Sequence, residues 1–245
     1  ETREKPQTPP MWWSENAFVN WLLQKTVQKK ETGDARTIRR RQTHLKINPE
    51  TLTADEGMLF STETIEGFQF HNEKMYRWAM ALQLKTSLQI PKTWCLGLGG
   101  KRHINYVIPA EKSLFEMPKA IQNLSQNVRG LRVICITPAI FEQGWLPDGF
   151  AVKNNEYHGK LLGMDVILRA AYVSRPWAVS GWDMAAQEPK PSQRLVVPGS
   201  VYFFQKSDGS NISADEIRKG WLSSWGQQTH DGYGTFVTGI WDFNF

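Results

Sequence analysis

The spacing of apolar residues and the capping residues along the chain predict three helices. Ser14 precedes apolar residues at helical spacing and predicts an N-capped first helix that continues toward Val27. Residues 110–127 carry apolar side chains three and four positions apart and predict a second helix. Ser213 with Glu216 three residues later is a capping box, which predicts that a third, short helix begins there.

Strands are predicted where apolar and polar residues alternate or where a short apolar run occurs. Residues 44–49 alternate as in an exposed strand, and residues 58–60 and 76–84 look like paired strands with period two. Residues 131–137 are typical of a buried strand. Further strands are predicted at 161–173, 177–182, 194–205 and 234–241. The mixture predicts an α+β fold with a largely antiparallel sheet, as in ferredoxin-like βαββαβ units.

Composition excludes several classes of protein. With 245 residues, 40% of them hydrophobic, the chain has the length for one large domain or two small ones, each with a core. No apolar run approaches the roughly 20 residues of a membrane-spanning helix, and residues 1–10 are polar and Pro-rich, so a cytoplasmic protein is expected. Because the chain begins with Glu1, we expect a fragment or a processed product. Cys95 and Cys135 lack CxxC spacing and are expected to be buried thiols.

The positive charge is concentrated in one segment. Residues 24–46 hold eight basic and two acidic side chains, a net charge of +6, whereas the whole chain has a net charge of +5. This distribution is typical of an electrostatic footprint for phosphates. Its densest part runs from Arg36 to His44, where guanidinium groups can contact phosphate in a bidentate manner. The alternative is a solvated loop with no ligand.

The sequence gives little support to catalysis. There is no GxSxG motif, and the five histidines lack metal-ligand spacing, so neither a serine hydrolase nor a metal hydrolase is indicated and no cofactor is expected. His158 with Asp165, or His230 with Asp231, could act as acid–base pairs, but such pairs occur in most proteins of this size.

Two glycine clusters and the tryptophans provide further candidates. Residues 97–102 combine three glycines with Lys101 and Arg102 and could cradle phosphates, or form a tight turn. Residues 232–239 contain three glycines and could form a glycine-containing strand with a bulge. Most of the 11 tryptophans are expected in the core, whereas those near loops and Arg175 are candidates for stacking on unpaired bases. These surface candidates are Trp145, Trp177 and Trp182.

Several segments, taken together and in order, resemble the Cmr subunit three type of RAMP protein, found in type III-B CRISPR effector complexes. The resemblance spans residues 36–245 approximately, and a related subunit of type III-D complexes shares many of these features. The opening strand and the Phe-Arg-Asp-type motif expected near the N-terminus are absent from the sequence. The matching stretches are 43–63, 98–102, 136–147, 180–183, 190–204 and the terminal glycine-rich strand.

The resemblance implies a RAMP architecture of two ferredoxin-like (RRM-type) units, the remainder of the first in residues 1–130, with a basic loop and helical insertions, and the second in 131–245. It also implies a non-catalytic subunit that grips the repeat-derived 5′ tag of the crRNA and docks a large polymerase-like subunit and a backbone subunit. The RNA-binding residues that follow from the basic segment, the aromatic candidates and the resemblance are Arg36, Arg39, Arg40, Arg41, His44, Lys46, Gly99, Gly100, Lys101, Arg102, Arg175, Trp182, Gly232, Gly234 and Gly239.

Two other functions remain as alternatives. The first is a metal-independent endoribonuclease that processes crRNA, with His44 as the base and Lys46 beside the phosphate, because crRNA-processing RAMP proteins share this fold. The second is a structural adaptor without direct RNA contact, whose aromatic surface packs on other subunits.

Overall fold

The computed structural model describes residues 12–28, 31–33, 39–71, 73–99 and 103–242. Its contacts divide the chain into two compact units. One, here called the sheet unit, comprises the residues up to 33 and those from 117 onward, and the other, the ribbon unit, comprises residues 34–116. The predicted division at residue 130 into two ferredoxin-like units stays a prediction. The longest of the described helices has eight residues, so none has the length and apolar composition needed to cross a membrane.

The ribbon unit consists of three two-stranded antiparallel ribbons, which pair β3 with β4, β5 with β6 and β7 with β8. A 3₁₀ turn, Lys112–Phe115, follows them. Residues 78–93 contain neither helix nor strand. Its strands are β3 (Arg39–Ile47), β4 (Ala54–Ile65), β5 (Phe68–His71), β6 (Lys74–Arg77), β7 (Trp94–Leu98) and β8 (His103–Val107).

The sheet unit contains all the α-helices of the described part of the chain and a large antiparallel sheet. A 3₁₀ turn, Thr229–Asp231, precedes the last strand. Its elements are β1 (Trp12–Trp13), α1 (Glu15–Leu22), β2 (Thr32–Gly33), α2 (Lys119–Gln122), β9 (Gly130–Cys135), β10 (Ala151–Lys153), β11 (Glu156–Leu161), β12 (Met164–Tyr172), β13 (Trp177–Val179), β14 (Trp182–Asp183), β15 (Glu188–Pro189), β16 (Gln193–Leu195), β17 (Val201–Lys206), α3 (Ala214–Lys219), β18 (Ser223–Ser224) and β19 (Thr235–Trp241).

The large sheet has seven strands in the order β10-β11-β12-β17-β9-β19-β18, and every neighbouring pair is antiparallel. The central strand β9 is almost wholly buried, as its continuous apolar run predicts. The strands β13 and β16 pair with each other, as do β14 and β15, so residues 177–195 form one irregular hairpin arm. β1 and β2 form a further short pair.

Side chains on the two faces of the sheet pack into two separate hydrophobic clusters. The larger cluster contains Val133, Tyr202 and Phe204 from the sheet and Ile217 from α3. The smaller cluster joins Val237 of β19 to α1 and α2. Since successive residues of a strand point to opposite faces, Phe236 and Val237 lie in different clusters, and the sheet is covered on both faces where β19 runs.

The predicted starts of the first and third helices are confirmed. The Ser14 hydroxyl accepts a hydrogen bond from the backbone N–H of Ala17 at 3.1 Å, although α1 ends at Leu22 rather than near Val27. The capping box that opens α3 is present, with the Ser213 hydroxyl and the Glu216 carboxylate bonded reciprocally. The α+β class with mostly antiparallel sheets is likewise confirmed.

Several predictions of local structure are wrong. The described arginines expected in a basic loop lie in strand β3, because this segment pairs with β4. Residues 194–205 form two strands, since a turn at Pro198 separates β16 from β17.

Residues 110–127 do not form one helix, because Pro118 lacks an N–H and disfavours helical geometry at the preceding residue; only the four residues of α2 are α-helical. Residues 58–60 do not pair with 76–84: they belong to β4, which pairs with β3, and strand structure ends at Arg77. Alternation fixes which face a side chain takes but does not select the partner strand.

Candidate nucleic-acid interface

Strand β3 carries the described arginines of the basic segment at three consecutive exposed positions, here called the arginine row. Arg39, Arg40 and Arg41 follow one another at its start, and the antiparallel pairing places Arg41 opposite Glu63 of β4. Because side chains alternate along a strand, Arg39 and Arg41 share one face of the β3–β4 ribbon and Arg40 lies on the other. The ribbon therefore presents guanidinium groups on both faces.

Three cations of β3 form ion pairs with carboxylates. Arg39 contacts Glu63 at 3.0 Å and Arg40 contacts Glu66 at 3.8 Å. Lys46, on the same strand, contacts Asp55 at 2.9 Å. The three basic side chains are 66%, 64% and 58% exposed, so each pair is worth at most about 1 kcal/mol and exchanges readily with another anion.

Arg41 differs from its neighbours on β3. It is exposed, and within the described ranges no carboxylate oxygen lies within 4 Å of its guanidinium group. An exposed guanidinium that no carboxylate engages has no ion pair to give up when it binds a phosphate. Arg41 is therefore the most available of the described cations of this strand.

His44 is half-buried in the ribbon and already engaged. Its ring stacks on Phe60 of β4 with 5.2 Å between centroids and 18° between planes. Its Nε2 lies 2.8 Å from the Thr62 hydroxyl, in a hydrogen bond whose donor depends on the histidine tautomer. The stack is an aromatic surface that a base could extend, and the hydrogen bond to Thr62 orients the imidazole.

The first glycine cluster is described only in part. Gly99 follows β7 with φ +76°, and a side chain built on it would meet no atom within 4 Å. Its surroundings are therefore open enough for a ligand to approach the backbone. Gly100, Lys101 and Arg102 lie outside the described residues, as does Arg36 of the basic segment.

Arg175 and Trp182 belong to the sheet unit. Arg175 is exposed in the connection that leads from β12 into the hairpin arm, and Trp182 on β14 is 56% exposed. The arm also exposes Trp177 and Met184. Aromatic and basic side chains thus occur close together in the chain, at the start of the hairpin arm and within it.

Close packing explains why two of the three residues in the second glycine cluster are glycines. Gly234 has φ +71°, and a Cβ there would overlap the Trp225 carbonyl. Gly239 lies in β19 beneath the end of α1, where a Cβ would overlap the Leu22 carbonyl and lie 2.8 Å from the Leu22 Cα. Gly232, at the end of a 3₁₀ turn, has open space around it. Contact of these glycines with RNA stays a prediction, and of the three Gly232 has the most room for it.

The sequence did not reveal a cleft of about 750 Å³ in the sheet unit, here called the arginine cleft. Its lining comes from four separate parts of the chain: 143–145, Tyr157, the segment 168–176 without Tyr172 and Arg175, and 194–196. Trp145 was recognisable as a surface aromatic, but Tyr157, Arg169 and Arg194 are far from it in the chain. They come together only in the folded chain: the β11–β12 pairing places Tyr157 opposite Leu168, next to Arg169, and the Trp145 ring packs against the Tyr157 ring.

Comparison with known proteins agrees with the resemblance of the segments. No curated protein matches the sequence. The family model described as CRISPR-associated protein (Cas_Cmr3) matches residues 1–241, which is nearly the whole chain. The match includes both the β3 arginines and the sheet unit. The chain therefore belongs to the Cmr3 family of CRISPR-associated proteins.

Proposed function

We propose that this protein is a non-catalytic RNA-binding subunit of a type III-B CRISPR effector ribonucleoprotein, acting in antiviral defence. It grips the repeat-derived 5′ tag of the crRNA and docks the large polymerase-like subunit and a backbone subunit. The observation that carries the RNA part is the exposed arginine row on β3 in a member of this family.

The geometry of β3 supports phosphate binding. A single strand carries a phosphate at every nucleotide, and on an extended strand residues two apart, here Arg39 and Arg41, present guanidinium groups on the same face at intervals of roughly 6.8 Å. Arg41 is available directly, whereas Arg39 and Arg40 would exchange Glu63 and Glu66 for phosphate. Such an exchange costs little because the carboxylates remain exposed to water afterwards.

The strand order of the large sheet supports the assignment of a ferredoxin-like unit to this part of the chain. Four strands of the large sheet follow one another along the chain as β9, β12, β17 and β19. In the sheet they lie side by side in the order β12-β17-β9-β19, which is second, third, first and fourth in chain order. Every neighbouring pair is antiparallel, and this is the strand order of a βαββαβ unit. The helix α3 connects β17 to β19, as the second helix of a βαββαβ unit does. Residues 136–163, all of them described, contain no helix; instead Phe141 and Phe150 pack in the same cluster as Ile217 of α3. This segment takes the place of the first helix.

The exposed apolar surface of the ribbon unit supports the proposal that the protein docks to other subunits. None of its described residues is buried, and it exposes a large set of apolar side chains on thin ribbons. A two-stranded ribbon alone is marginally stable in water, and exposed apolar surface of this kind marks protein interfaces. Exposed examples are Leu59, Phe70, Met80, Leu82, Leu88, Ile104 and Tyr106.

A gel experiment tests the RNA proposal. A labelled repeat-derived RNA is titrated with the full chain at several salt concentrations in EDTA, and the Arg39/Arg40/Arg41→Ala variant is compared with a control that loses the exposed cations Lys119, Arg129 and Lys153. Each phosphate contact contributes about −0.7 to the slope of log affinity against log salt. Loss of three contacts should make the slope less negative by about 2, whereas the control should keep its slope.

Other outcomes of that gel separate the alternatives. Cleavage of the RNA in EDTA that disappears in His44→Ala would identify a metal-independent ribonuclease. Absence of binding by the wild-type chain at every salt concentration would favour the adaptor. Equal slopes for the β3 variant and the control would refute the assignment of phosphate contacts to β3.

A further inference from the structure

The arginine cleft has the lining of a site for a flat, anionic ligand. Its floor includes Leu168 and Val196, which are 7% and 3% exposed. Trp145 and Tyr157 line it with ring centroids 5.4 Å apart and planes at 82°, and Trp145 remains 42% exposed. The volume lies within the range of about 300–1,000 Å³ that is usual for small-ligand pockets.

The charge of the cleft has one sign. Arg169 and Arg194 line it, and none of its lining residues is acidic. Arg169 is held in place by Glu156 and by the Gln205 side-chain oxygen, which accepts a hydrogen bond from its Nε at 2.5 Å. Arg194 is exposed on β16, and in the part of the chain that the structure describes no carboxylate lies within 4 Å of it. One guanidinium is thus fixed and the other is available.

We propose that the arginine cleft binds one unpaired nucleotide of a single-stranded RNA. The base stacks on Trp145 above the apolar floor, and Arg194 contacts the adjoining phosphate. This inference rests on the proposed RNA-binding function and adds a base subsite in the sheet unit to the phosphate contacts of β3.

Single-stranded RNA fits this lining better than other anions. An inorganic phosphate gains nothing from contact with an indole face or an apolar floor. In a duplex the faces of the bases are already covered by stacking on their neighbours. An unpaired nucleotide offers both a flat apolar surface and a charge. Since every base has a stacking face and only one arginine is available for hydrogen bonds, the subsite should tolerate different bases.

Photochemical cross-linking tests the inference on the full chain. Oligouridine substituted with 5-iodouridine is irradiated with the protein, and tryptic peptides are analysed by mass spectrometry. Residues 133–153 form one tryptic peptide in which Trp145 is the single tryptophan. We expect the principal cross-link of the sheet unit in that peptide, at Trp145.

Affinity measurements on variants provide the second readout. Trp145→Ala should weaken binding by about 5- to 150-fold, the range for loss of one base stack, and Trp145→Phe should restore most of it. Arg194→Gln should make the salt slope less negative by about 0.7. Trp94→Leu, at a tryptophan 38% exposed outside the cleft, and Arg129→Gln should leave affinity and slope unchanged.

The outcomes separate this inference from the function on which it rests. Salt-dependent binding with no cross-link in residues 133–153 would overturn the cleft and leave the β3 assignment intact. A cross-link that an equal concentration of uridine monophosphate abolishes would make the cleft a mononucleotide site and overturn its assignment to RNA. No RNA binding at all would overturn the proposed function and the cleft together.

Discussion

The two units of the chain use apolar residues in opposite ways. The sheet unit buries them in two clusters, with Leu131, Tyr202 and Phe204 all at 0% exposure. The ribbon unit exposes comparable residues, such as Leu82 at 74% and Phe70 at 71%, and none of its described residues is buried. Hydrophobic content alone therefore does not distinguish a core from a surface.

The two units differ in what stabilises them. A seven-stranded sheet with packed helices buries enough apolar area to fold by itself, at about 25 cal/mol for each Å² removed from water. A two-stranded ribbon has no second layer, so its apolar side chains gain burial only against another surface. We therefore expect the sheet unit to be stable in the free chain and the ribbon unit to gain order within a complex.

The two units should differ most in the reactivity of their cysteines, since each unit contains one. Cys95 on β7 is exposed, whereas Cys135 on β9 is 1% exposed and burial raises the pKa of its thiol to about 12. At pH 8 roughly one Cys135 thiol in 10,000 would be the reactive thiolate. Iodoacetamide should thus modify Cys95 at least about 1,000-fold faster, as measured by mass spectrometry of tryptic peptides.

The labelling rates can also contradict the expected difference between the two units. Similar rates at the two cysteines would show either that the sheet unit opens readily or that Cys95 is covered in the free chain. Repeating the labelling in the assembled effector complex sharpens the test, because a docked ribbon unit should lower the Cys95 rate and leave Cys135 unchanged.

The sequence predicted the sheet unit better than the ribbon unit, for a physical reason. The start of α1, the capping box of α3 and the buried strand β9 follow from signals within a few residues. The expected burial of both cysteines is confirmed for Cys135 and wrong for Cys95, because a thiol is buried only where a second layer of structure covers its strand. Partner choice among the ribbons was not predictable from alternation, which many registers satisfy equally.

The candidate site was predictable in the same uneven way. The β3 arginines stand out because charge is visible in the sequence itself. The ion pairs of Arg39 and Arg40 were not visible, since Glu63 and Glu66 reach them only through the β3–β4 pairing. The arginine cleft was hidden because strand pairing assembles it from distant segments.

A matched pair of phenylalanines gives the next largest contrast. Phe204→Ala should lower the free energy of unfolding by about 3–5 kcal/mol, because it leaves a cavity beside Phe150 and Trp225 in the larger cluster. Phe70→Ala should change it by less than about 0.5 kcal/mol. Urea denaturation followed by tryptophan fluorescence measures both. A cost above about 2 kcal/mol for Phe70→Ala would mean that the ribbon unit has a core of its own.

A matched pair of glycines gives the smallest contrast and tests how α1 is held on the sheet. Gly239→Ala places a methyl group against the Leu22 backbone, so α1 must shift, at an expected cost of about 1–3 kcal/mol. The shift also strains the contact in which Arg132 Nη1 donates to the Trp21 carbonyl at 2.6 Å with its guanidinium over the Trp21 ring. Gly67→Ala, in open space in the ribbon unit, should be neutral or stabilise by up to about 1 kcal/mol. Equal effects in urea denaturation would show that α1 does not depend on close approach to β19.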